Sequence, residues 1–536
     1  MARQPWRITR PLVFVLSLIL VLEAMWIAPA PAAAMPARPA PQTAEAPLAS
    51  PLVIPDTTLR VSESTDGDQG NGTSGTAYIS ADGRYVAFHS PATTLVDGDT
   101  NGVTDVFVRD TLTGETTRVS VSSAGVQGNG NSQEPSISGD GRYVVFQSVA
   151  TNLVSGDTNA KRDIFVHDRA TGATEMVSID GTGDEGNGVS GEPVLSFDGR
   201  FVAFHSESSD LVAFDTNAKS DIFVHDRSTG TTERVSVDSS EAQVNGDSFR
   251  VAISNDASII VFDSFATNLV ASDTNAKEDI FVRDRVAGTT VRASVDSSEA
   301  QVNGDSESPS VSGDGRYIVF DSAATNLVAS DTNAKGDIFV RDTVAGTTER
   351  VSVDSSEAQS NNGSQLPSVS DDGRYVTFNS TATNLVASDT NAVRDVFLRD
   401  RTDGVTERVS LGYDGAQGNG ISIQSELAAL DGRTVVFKSS ATNLIVGDTN
   451  AADDVFIRQA ADRIDETNLG LQAQHSFENW DLGAGDALGV NVGNGNLVLS
   501  HPIVSLPIEG STLTIDLTYN SHDDVDYKLQ GALLLQ

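Results

Sequence analysis

The most chemically suggestive pattern in this 536-residue sequence is a loop with an aspartate, an asparagine two residues later and a second aspartate four residues after that. Carboxylate and amide oxygens at this spacing are the ligands that a calcium loop uses. The pattern therefore predicts calcium as a candidate cofactor. It occurs seven times, at Asp99, Asn101, Asp105; Asp157, Asn159, Asp163; Asp215, Asn217, Asp221; Asp273, Asn275, Asp279; Asp331, Asn333, Asp337; Asp389, Asn391, Asp395; and Asp448, Asn450, Asp454.

The same residues have a second interpretation, which is structural. Aspartate and asparagine cap turns and hydrogen-bond nearby backbone in many loops that bind nothing. Only the first copy begins as a calcium loop does, with Asp97-Gly98 before Asp99, and no copy has a bidentate glutamate at the usual place. An element present seven times also favours architecture over a single active site. Calcium sites and structural turns both stay open at this stage.

The loops belong to a longer repeat. The block DGRYVAF at residues 82–88 returns at an interval of 58 residues, and once of 59. Its fourth copy, Asp256-Ala257-Ser258, keeps the apolar positions but has lost the glycine, so we expect a differently built turn there. The further copies begin at Asp140, Asp198, Asp256, Asp314, Asp372 and Asp431.

Each period contains four strand-like runs, here called A to D, which in the second copy cover 135–138, 142–147, 163–167 and 174–179. Asp140-Gly141 predicts a tight hairpin between A and B, so adjacent strands should be antiparallel. Runs B and C are continuously apolar, which predicts burial of both faces, whereas run D alternates. This is the pattern of a propeller blade that is pressed between two neighbours.

The phase of the repeat predicts a closed ring. A D-type strand at 57–62 precedes any A, B or C strand, and the last A-B-C set ends at Arg458 with no D strand after it. Pairing the two orphans removes both exposed edges. The sequence thus predicts an all-β fold, a seven-bladed β-propeller of four-stranded antiparallel blades over 57–458, with the ring closed by the N-terminal strand.

A family resemblance rests on the repeat itself. The stretch SGDGRYVVF at 138–146, followed by DIFV at 163–166, resembles the repeat of TolB-like (WD40-like) propellers. The resemblance covers residues 57–458 and implies the propeller fold. It implies little about function, because one fold hosts many unrelated roles.

The ends of the chain indicate export. Arg3, Arg7 and Arg10 precede an apolar run at 11–22 and an Ala/Pro stretch at 28–34, which predicts a signal peptide over 1–34. A retained signal-anchor is the alternative, although the run is short for a membrane span. Residues 35–56 read as an Ala/Pro-rich linker. The predicted location is secreted, extracytoplasmic or at the cell surface, without membrane contact after cleavage. The chain has no cysteine, so disulfides and thiolate chemistry are excluded.

After Arg458 the sequence predicts a linker over 459–486 and a β-rich segment over 487–536. The stretch VNVGNGNLVLS at 490–500, with LTYNS at 517–521, resembles the segment that opens Rhs-type, YD-repeat proteins. That resemblance implies the front piece of a larger, truncated surface or toxin-delivery protein. A small β-hairpin packed on the propeller is the alternative.

The net charge and the motifs narrow the classes of function that are expected. There are 74 acidic and 35 basic residues, a formal charge of -39, so nucleic acid would be repelled and is not expected as a partner. No catalytic motif stands out, and His89, His167, His205 and His225 occupy positions that other copies fill with different residues. Short A–B and C–D turns must share one face of the disc, so the longer B–C and D–A loops share the other. We expect a non-enzymatic propeller that binds a protein or glycan ligand on this long-loop face; a propeller hydrolase acting on glycans or peptides at the central channel is the alternative.

Overall fold

The described part of the chain is built from β-strands. The computed structural model describes residues 57–430 and 432–460, together with the strands Phe477–Gly483, Asp486–Asn491, Leu497–Leu499, Ser505–Ile508 and Ser511–Thr514. The predicted signal peptide and linker, residues 1–56, and the stretch 461–476 lie outside the described residues. No helix that is long and apolar enough to cross a membrane occurs in the described part of the chain.

Seven four-stranded antiparallel sheets follow one another, each hydrogen-bonded in the order A-B-C-D. These are the blades, numbered 1 to 7 in the chain order of their A strands. The A strands are Gly75–Ile79, Ser132–Ile137, Ser190–Leu195, Ser248–Ile253, Ser306–Val311, Ser364–Val369 and Ser422–Leu427. The B strands are Tyr85–Ser90, Tyr143–Ser148, Phe201–Ser206, Ile259–Ser264, Tyr317–Ser322, Tyr375–Ser380 and Thr434–Ser439. The C strands are Asp105–Asp110, Asp163–Asp168, Asp221–Asp226, Asp279–Asp284, Asp337–Asp342, Asp395–Asp400 and Asp454–Gln459. The D strands are Glu115–Arg118, Ala173–Met176, Thr231–Arg234, Thr289–Arg292, Thr347–Arg350, Val405–Arg408 and, from the N-terminal end of the chain, Thr58–Arg60. The seven-bladed β-propeller predicted from the repeat is confirmed.

Burial follows the predicted gradient across a blade. In blade 2 every residue of strand C and all but the first of strand B are buried, whereas strand D alternates between buried and exposed positions. One phenylalanine from strand B stacks on one from strand C at the centre of each blade, with ring centroids 5.8–6.1 Å apart. Stacked aromatic pairs of this geometry add to the gain from burying the rings. The hydrophobic core is therefore divided into clusters that each join two neighbouring blades.

The ring closes as the phase of the repeat predicts. Strand Thr58–Arg60 is antiparallel to strand C of blade 7, with Leu59 opposite Ile457. The backbone N–H of Val61 donates to the Val455 carbonyl oxygen at 2.8 Å, and the Val61 side chain is 1% exposed. Val61 belongs to the core cluster that joins blade 7 to blade 1. The first strand thus supplies both the missing edge and part of the core.

The turn of the degenerate fourth copy is not built differently, so that expectation was wrong. The Ala257 N–H donates to the Ser254 carbonyl at 2.9 Å, just as the Gly315 N–H donates to the Ser312 carbonyl in blade 5. Ala257 adopts a left-handed φ of 59°, where Gly315 has 77°. The surrounding strands impose the turn, and alanine carries the strain that glycine avoids.

Beyond the propeller the described strands form two small antiparallel sheets. Phe477–Gly483, Asp486–Asn491 and Leu497–Leu499 form one, and Ser505–Ile508 pairs with Ser511–Thr514 in the other. The first of these strands falls within 459–486, which the sequence predicts as a linker. The residues between these strands and the end of the segment lie outside the described residues, and the resemblance to Rhs-type proteins stays a prediction.

Candidate functional site

The Asp-Thr-Asn loops lie where strand C begins, and their residues are tied into the blades. The second aspartate of every copy is fully buried, the side chain of the first is only 1–3% exposed in the five blades where it pairs with a strand D arginine, and the asparagine is half-buried. In blade 4, Asp279 accepts a hydrogen bond from Ser294 Oγ at 2.6 Å and one from Asn275 Nδ2 at 3.0 Å. Asn275 also donates to the Val302 carbonyl in the following D–A loop at 3.2 Å. These contacts are the turn-capping role that the sequence left as an alternative.

An arginine at the end of strand D, which the sequence reasoning missed, completes this arrangement. In blade 4, Arg292 Nη1 lies 3.3 Å from Asp273 and 3.1 Å from Asp279. Burial raises the pKa of Asp279, and the guanidinium opposes that rise. The signal was present in the sequence, because an arginine stands 13 residues after the second aspartate in most copies. Equivalent contacts are made by Arg118, Arg234, Arg350 and Arg408, while Arg60 lies 4.0 Å from Asp454 in blade 7.

In these six blades an arginine side chain therefore lies beside the carboxylates that would bind a calcium ion. Blade 2 is the exception, because Met176 replaces the arginine. The calcium sites stay a prediction at all seven loops.

A second set of positions varies from blade to blade where the rest of the repeat is nearly constant. These positions are the third residue of strand A (the second in the shorter A strand that begins at Gly75), the fifth of strand B and the residue before strand C. The strand A set is Thr76, Glu134, Glu192, Arg250, Ser308, Leu366 and Gln424; the strand B set is His89, Gln147, His205, Asp263, Asp321, Asn379 and Lys438; the third set is Thr104, Arg162, Ser220, Glu278, Gly336, Arg394 and Asp453.

Strand pairing brings the three sets together at one end of the channel. In blade 5, Glu307, which directly precedes Ser308 of the strand A set, lies opposite Asp321 of the strand B set. The N–H of Ser306 donates at 2.8 Å to the carbonyl of Glu278, which precedes strand C of blade 4. Strand A begins, strand B ends and strand C begins on the long-loop face, so this end of the channel opens there. We call it the channel mouth.

Backbone bulges aim the strand A residues at the mouth. The A–B pairing shifts register in all seven blades, for instance between Glu307 and Ser310. Six of the seven strand A residues at the bulge have a positive φ, between 36° and 53°. Bulges and left-handed non-glycine residues recur next to functional sites, where they redirect a side chain. All seven A strands line a cavity of about 360 Å³ at the axis.

Arg250 is the centre of an acidic cluster on one side of the mouth. Its Nη1 lies 3.1 Å from Asp263 Oδ2, 3.0 Å from Glu307 Oε2 and 3.8 Å from Glu278 Oε1. Burial raises the pKa of Asp263 to about 7, although Arg250 opposes the rise. Burial, reinforced by the carboxylates of Asp263 and Glu307, raises the pKa of Glu278 to about 8. One guanidinium thus faces three carboxyl groups, two of which hold protons near neutral pH.

Further carboxyl groups lie at the mouth, as Asp321 does, or line the cavity, as Glu134 and Glu426 do. Burial raises the pKa of Asp321 to about 7, and its Oδ2 accepts the Leu366 N–H at 3.1 Å. Burial also raises the pKa of Glu426 to about 7. Glu134 lies beside Thr76 at 3.4 Å, and burial raises the pKa of this glutamate too.

Two of the four histidines noted in the sequence lie at the mouth and two do not. His205 Nδ1 is 3.7 Å from Glu192 Oε2, and this contact lowers the pKa of Glu192. Burial lowers the pKa of His89 to about 4, so this side chain is neutral. His167 and the equivalent His225 instead contact threonine hydroxyls on strand D at 2.9 Å. The sequence alone indicated that all four histidines are tolerated substitutions. It did not reveal the channel mouth, because the residues of the mouth come from different strands and neighbouring blades.

The arrangement at the mouth can bind and can exchange protons. Protonated carboxyls donate hydrogen bonds, ionised ones accept them, and excess carboxylate attracts cationic groups. Groups whose pKa lies near the working pH are also the type that general acid–base chemistry requires.

The chain is similar to several solved structures, each at low sequence identity. No protein-family model matches the chain, and no curated protein matches its sequence. Solved structures that it resembles include TolB from Acinetobacter baumannii, at 15% identity and a TM-score of 0.35, with 62% of each chain covered. The β-propeller domain of the Trilobed protease from Pyrococcus furiosus matches at 14% identity and a TM-score of 0.44, covering 74% of this chain and 99% of that domain. An acylaminoacyl peptidase from Pyrococcus horikoshii matches at 12% identity and a TM-score of 0.43, covering 78% of this chain and 57% of the peptidase. The chain thus spans less than two thirds of the TolB and of the peptidase.

Proposed function

We propose that this protein is an exported binding propeller that takes a protein or glycan ligand at the channel mouth on its long-loop face. The observation that supports this most directly is the distribution of differences among the blades. Residues that build the ring, such as the buried aspartate at the start of strand C, are the same in all seven copies. The three sets at the mouth are not. Architecture needs the same residue at each equivalent position, whereas an asymmetric ligand needs unlike side chains around one axis.

The chemistry of the mouth favours a ligand with a cationic group. Asp263, Glu278 and Glu307 share a single guanidinium, and an arriving positive charge favours loss of the protons that Asp263 and Glu278 hold near neutral pH, which leaves an excess of carboxylate around it. Burial in the cavity strengthens such an interaction relative to the solvent-exposed acidic surface. A protein segment that presents a lysine or arginine side chain fits this description best. A glycan would instead use the carboxyls as hydrogen-bond partners for its hydroxyls.

Binding of tetralysine and of a neutral tetrasaccharide, measured by calorimetry, tests the proposal. Glu278→Gln/Glu307→Gln removes two carboxyl groups from the mouth, and Asp66→Asn/Asp68→Asn removes two from the exposed tip of a D–A loop. We expect tetralysine to bind the wild type and the loop variant equally, and the mouth variant at least tenfold more weakly. A preference for the tetrasaccharide makes the ligand a glycan. Equal binding of tetralysine by both variants places recognition outside the mouth and contradicts the proposal.

A specific observation favours a second candidate, a hydrolase. Asp263 and Glu278 face the same guanidinium and have pKa values of about 7 and about 8, which suits proton transfer at neutral pH. A panel of fluorogenic glycosides and peptides separates the two functions. Turnover that is lost in Glu278→Gln supports the hydrolase, and ligand binding without turnover on any substrate supports the binding propeller.

A further inference from the structure

Blade 2 departs from the other blades at two positions beside its Asp-Thr-Asn loop. Met176 stands where five blades have an arginine on strand D and where Arg60 stands in blade 7. Glu185 stands where the six others have a glutamine, namely Gln69, Gln127, Gln243, Gln301, Gln359 and Gln417. One change removes a positive charge and the other adds a negative charge at the same place.

The consequence is a group of three carboxylates without a counter-cation. One oxygen each from Asp157, Asp163 and Glu185 can be chosen so that all lie within 4.8 Å of one another. Among the described residues, none of the three forms an ion pair with a lysine or arginine side chain. Burial, reinforced by the neighbouring carboxylates, raises the pKa of both Asp157 and Asp163, the latter to about 6.

A buried oxygen in this group has no partner. The Asp163 side chain is fully buried, and its Oδ1 accepts from Ser178 Oγ at 2.8 Å, but its Oδ2 has no hydrogen-bond partner in the described structure. Of the seven equivalent aspartates only Asp163 is in this position. A buried carboxylate oxygen without a partner is destabilising, so its retention points to a ligand.

The three groups are also held in place. The Thr158 N–H donates to Glu185 Oε2 at 2.9 Å, and the Thr158 hydroxyl donates to Oε1. The amide of Asn159 donates to the Gly186 carbonyl at 2.8 Å, which ties the B–C loop to the D–A loop that carries Glu185. The carboxylates are therefore brought together before any ion arrives.

We infer that blade 2 binds one calcium ion between Asp157, Asp163 and Glu185, where the other blades use an arginine. Calcium is a hard cation that takes carboxylate oxygens at about 2.3–2.6 Å, so two of its ligand atoms can be no more than about 5 Å apart. The spacing of the three oxygens meets this limit. The half-buried Asp157 and Glu185 leave room for water to complete the six to eight ligands that calcium prefers. This ion would take the structural role of the guanidinium, independently of any ligand at the channel mouth.

Calcium titration of the chelator-treated full chain, followed by calorimetry, tests the site, with an equal ionic strength of sodium chloride as the control. We expect one calcium per chain and a melting temperature that rises by several degrees with calcium. Met176→Arg restores the cation of the other blades, and Glu185→Gln restores their glutamine. Each should weaken calcium binding at least tenfold, and Met176→Arg should melt in chelator no lower than the wild type.

The same two substitutions, made in another blade, should create a second calcium site. Blade 3 has Arg234 and Gln243 beside Asp215 and Asp221. Arg234→Met/Gln243→Glu should therefore bind two calcium ions per chain, while the single change Gln243→Glu keeps the arginine and should bind one. Absence of calcium binding by the wild type, seven ions per chain, or undiminished binding by Met176→Arg would each overturn the inference.

Discussion

Replacing Asp263 with asparagine tests whether burial outweighs Arg250 at the channel mouth. Asp263 is fully buried, and its folded-state pKa is about 7 against an ordinary value of 3.8. Because the folded pKa is raised, the folded chain binds the extra proton between about pH 4 and pH 7, and stability falls as pH rises through that window. Above pH 7 the carboxylate is ionised in both states and the loss is complete. Asparagine does not titrate, so the variant escapes this loss.

The size of the effect follows from the pKa shift. Between pH 5 and pH 9 the wild type passes through about two units of the window, which at about 1.4 kcal/mol per unit is roughly 3 kcal/mol. Arg250 keeps Glu307 at 3.0 Å and Glu278 at 3.8 Å, so the variant leaves no unpaired charge. Blade 6 already has a buried asparagine, Asn379, at the equivalent position. We therefore expect Asp263→Asn to gain roughly 3 kcal/mol over the wild type when the pH is raised from 5 to 9.

Urea unfolding followed by far-ultraviolet circular dichroism measures this, since no tryptophan lies within 57–460. Asp342→Asn is the matched control. A hydrogen bond from Arg316 lowers the pKa of Asp342 to about 2, so that its stabilisation is present above about pH 4 and is lost only at lower pH. The control should therefore be destabilised equally at pH 5 and pH 9. If Asp263→Asn also shifts equally at both values, its carboxyl is ionised throughout and Arg250 outweighs burial.

Three further substitutions test the fold, each by urea unfolding at pH 7. Val61→Pro removes the N–H of the closing strand that donates to the Val455 carbonyl, and it should lower the free energy of unfolding by about 3 kcal/mol or more. Its control, Leu59→Thr at a half-exposed position, should lower it by less than about 1 kcal/mol. Equal losses in the two variants would contradict the closure. Ala257→Gly removes the strain of an alanine in the left-handed region and should raise the free energy of unfolding by about 0.5–1 kcal/mol. The reverse change in the next blade, Gly315→Ala, should destabilise the protein, because the new Cβ would lie 2.5 Å from Ile259 Cγ1. A loss of stability in Ala257→Gly would show that the turn is unstrained. Ser294→Ala removes the hydroxyl that donates to Asp279 and accepts the Ile280 N–H, and should cost about 1–3 kcal/mol; no loss would mean that the aspartate does not need this partner.

The ring could be predicted because its determinants recur at a fixed interval. The DGRYVAF block, the apolar B and C strands and the orphan strands at the two ends fix the blade, the count and the closure from local patterns alone. The fourth turn was predicted wrongly because a local rule was applied to it in isolation. The strands on either side of Ala257 hold the turn in the shape that the other blades have, and the cost of a left-handed alanine is small against that constraint.

The channel mouth could not be predicted for a physical reason. Arg250 contacts both Glu307 on the next blade, 57 residues away, and Asp263 on a different strand of its own blade. Proximity across neighbouring blades depends on the tilt and spacing of the sheets, which no periodic pattern records. The arginines of strand D were predictable in principle, since their spacing from the buried aspartates is constant. Aligning the copies by column would also have shown Met176 and Glu185.

A chain of seven near-copies supplies its own comparison, and that comparison separates architecture from function. A column in which every blade has the same residue, such as the buried aspartate with its serine, is explained by the ring alone. A position that changes in one blade needs a local reason, and the paired changes at Met176 and Glu185 are explained together by one bound calcium ion, because three carboxylates with one calcium carry the same net charge as two carboxylates with one arginine. A position that varies from blade to blade, as at the channel mouth, has no architectural explanation, because the five or six residue types found at each such position cannot all be required by one repeated contact. The proposed ligand site and the proposed calcium site thus rest on opposite kinds of departure from the same repeat, and they can fail independently.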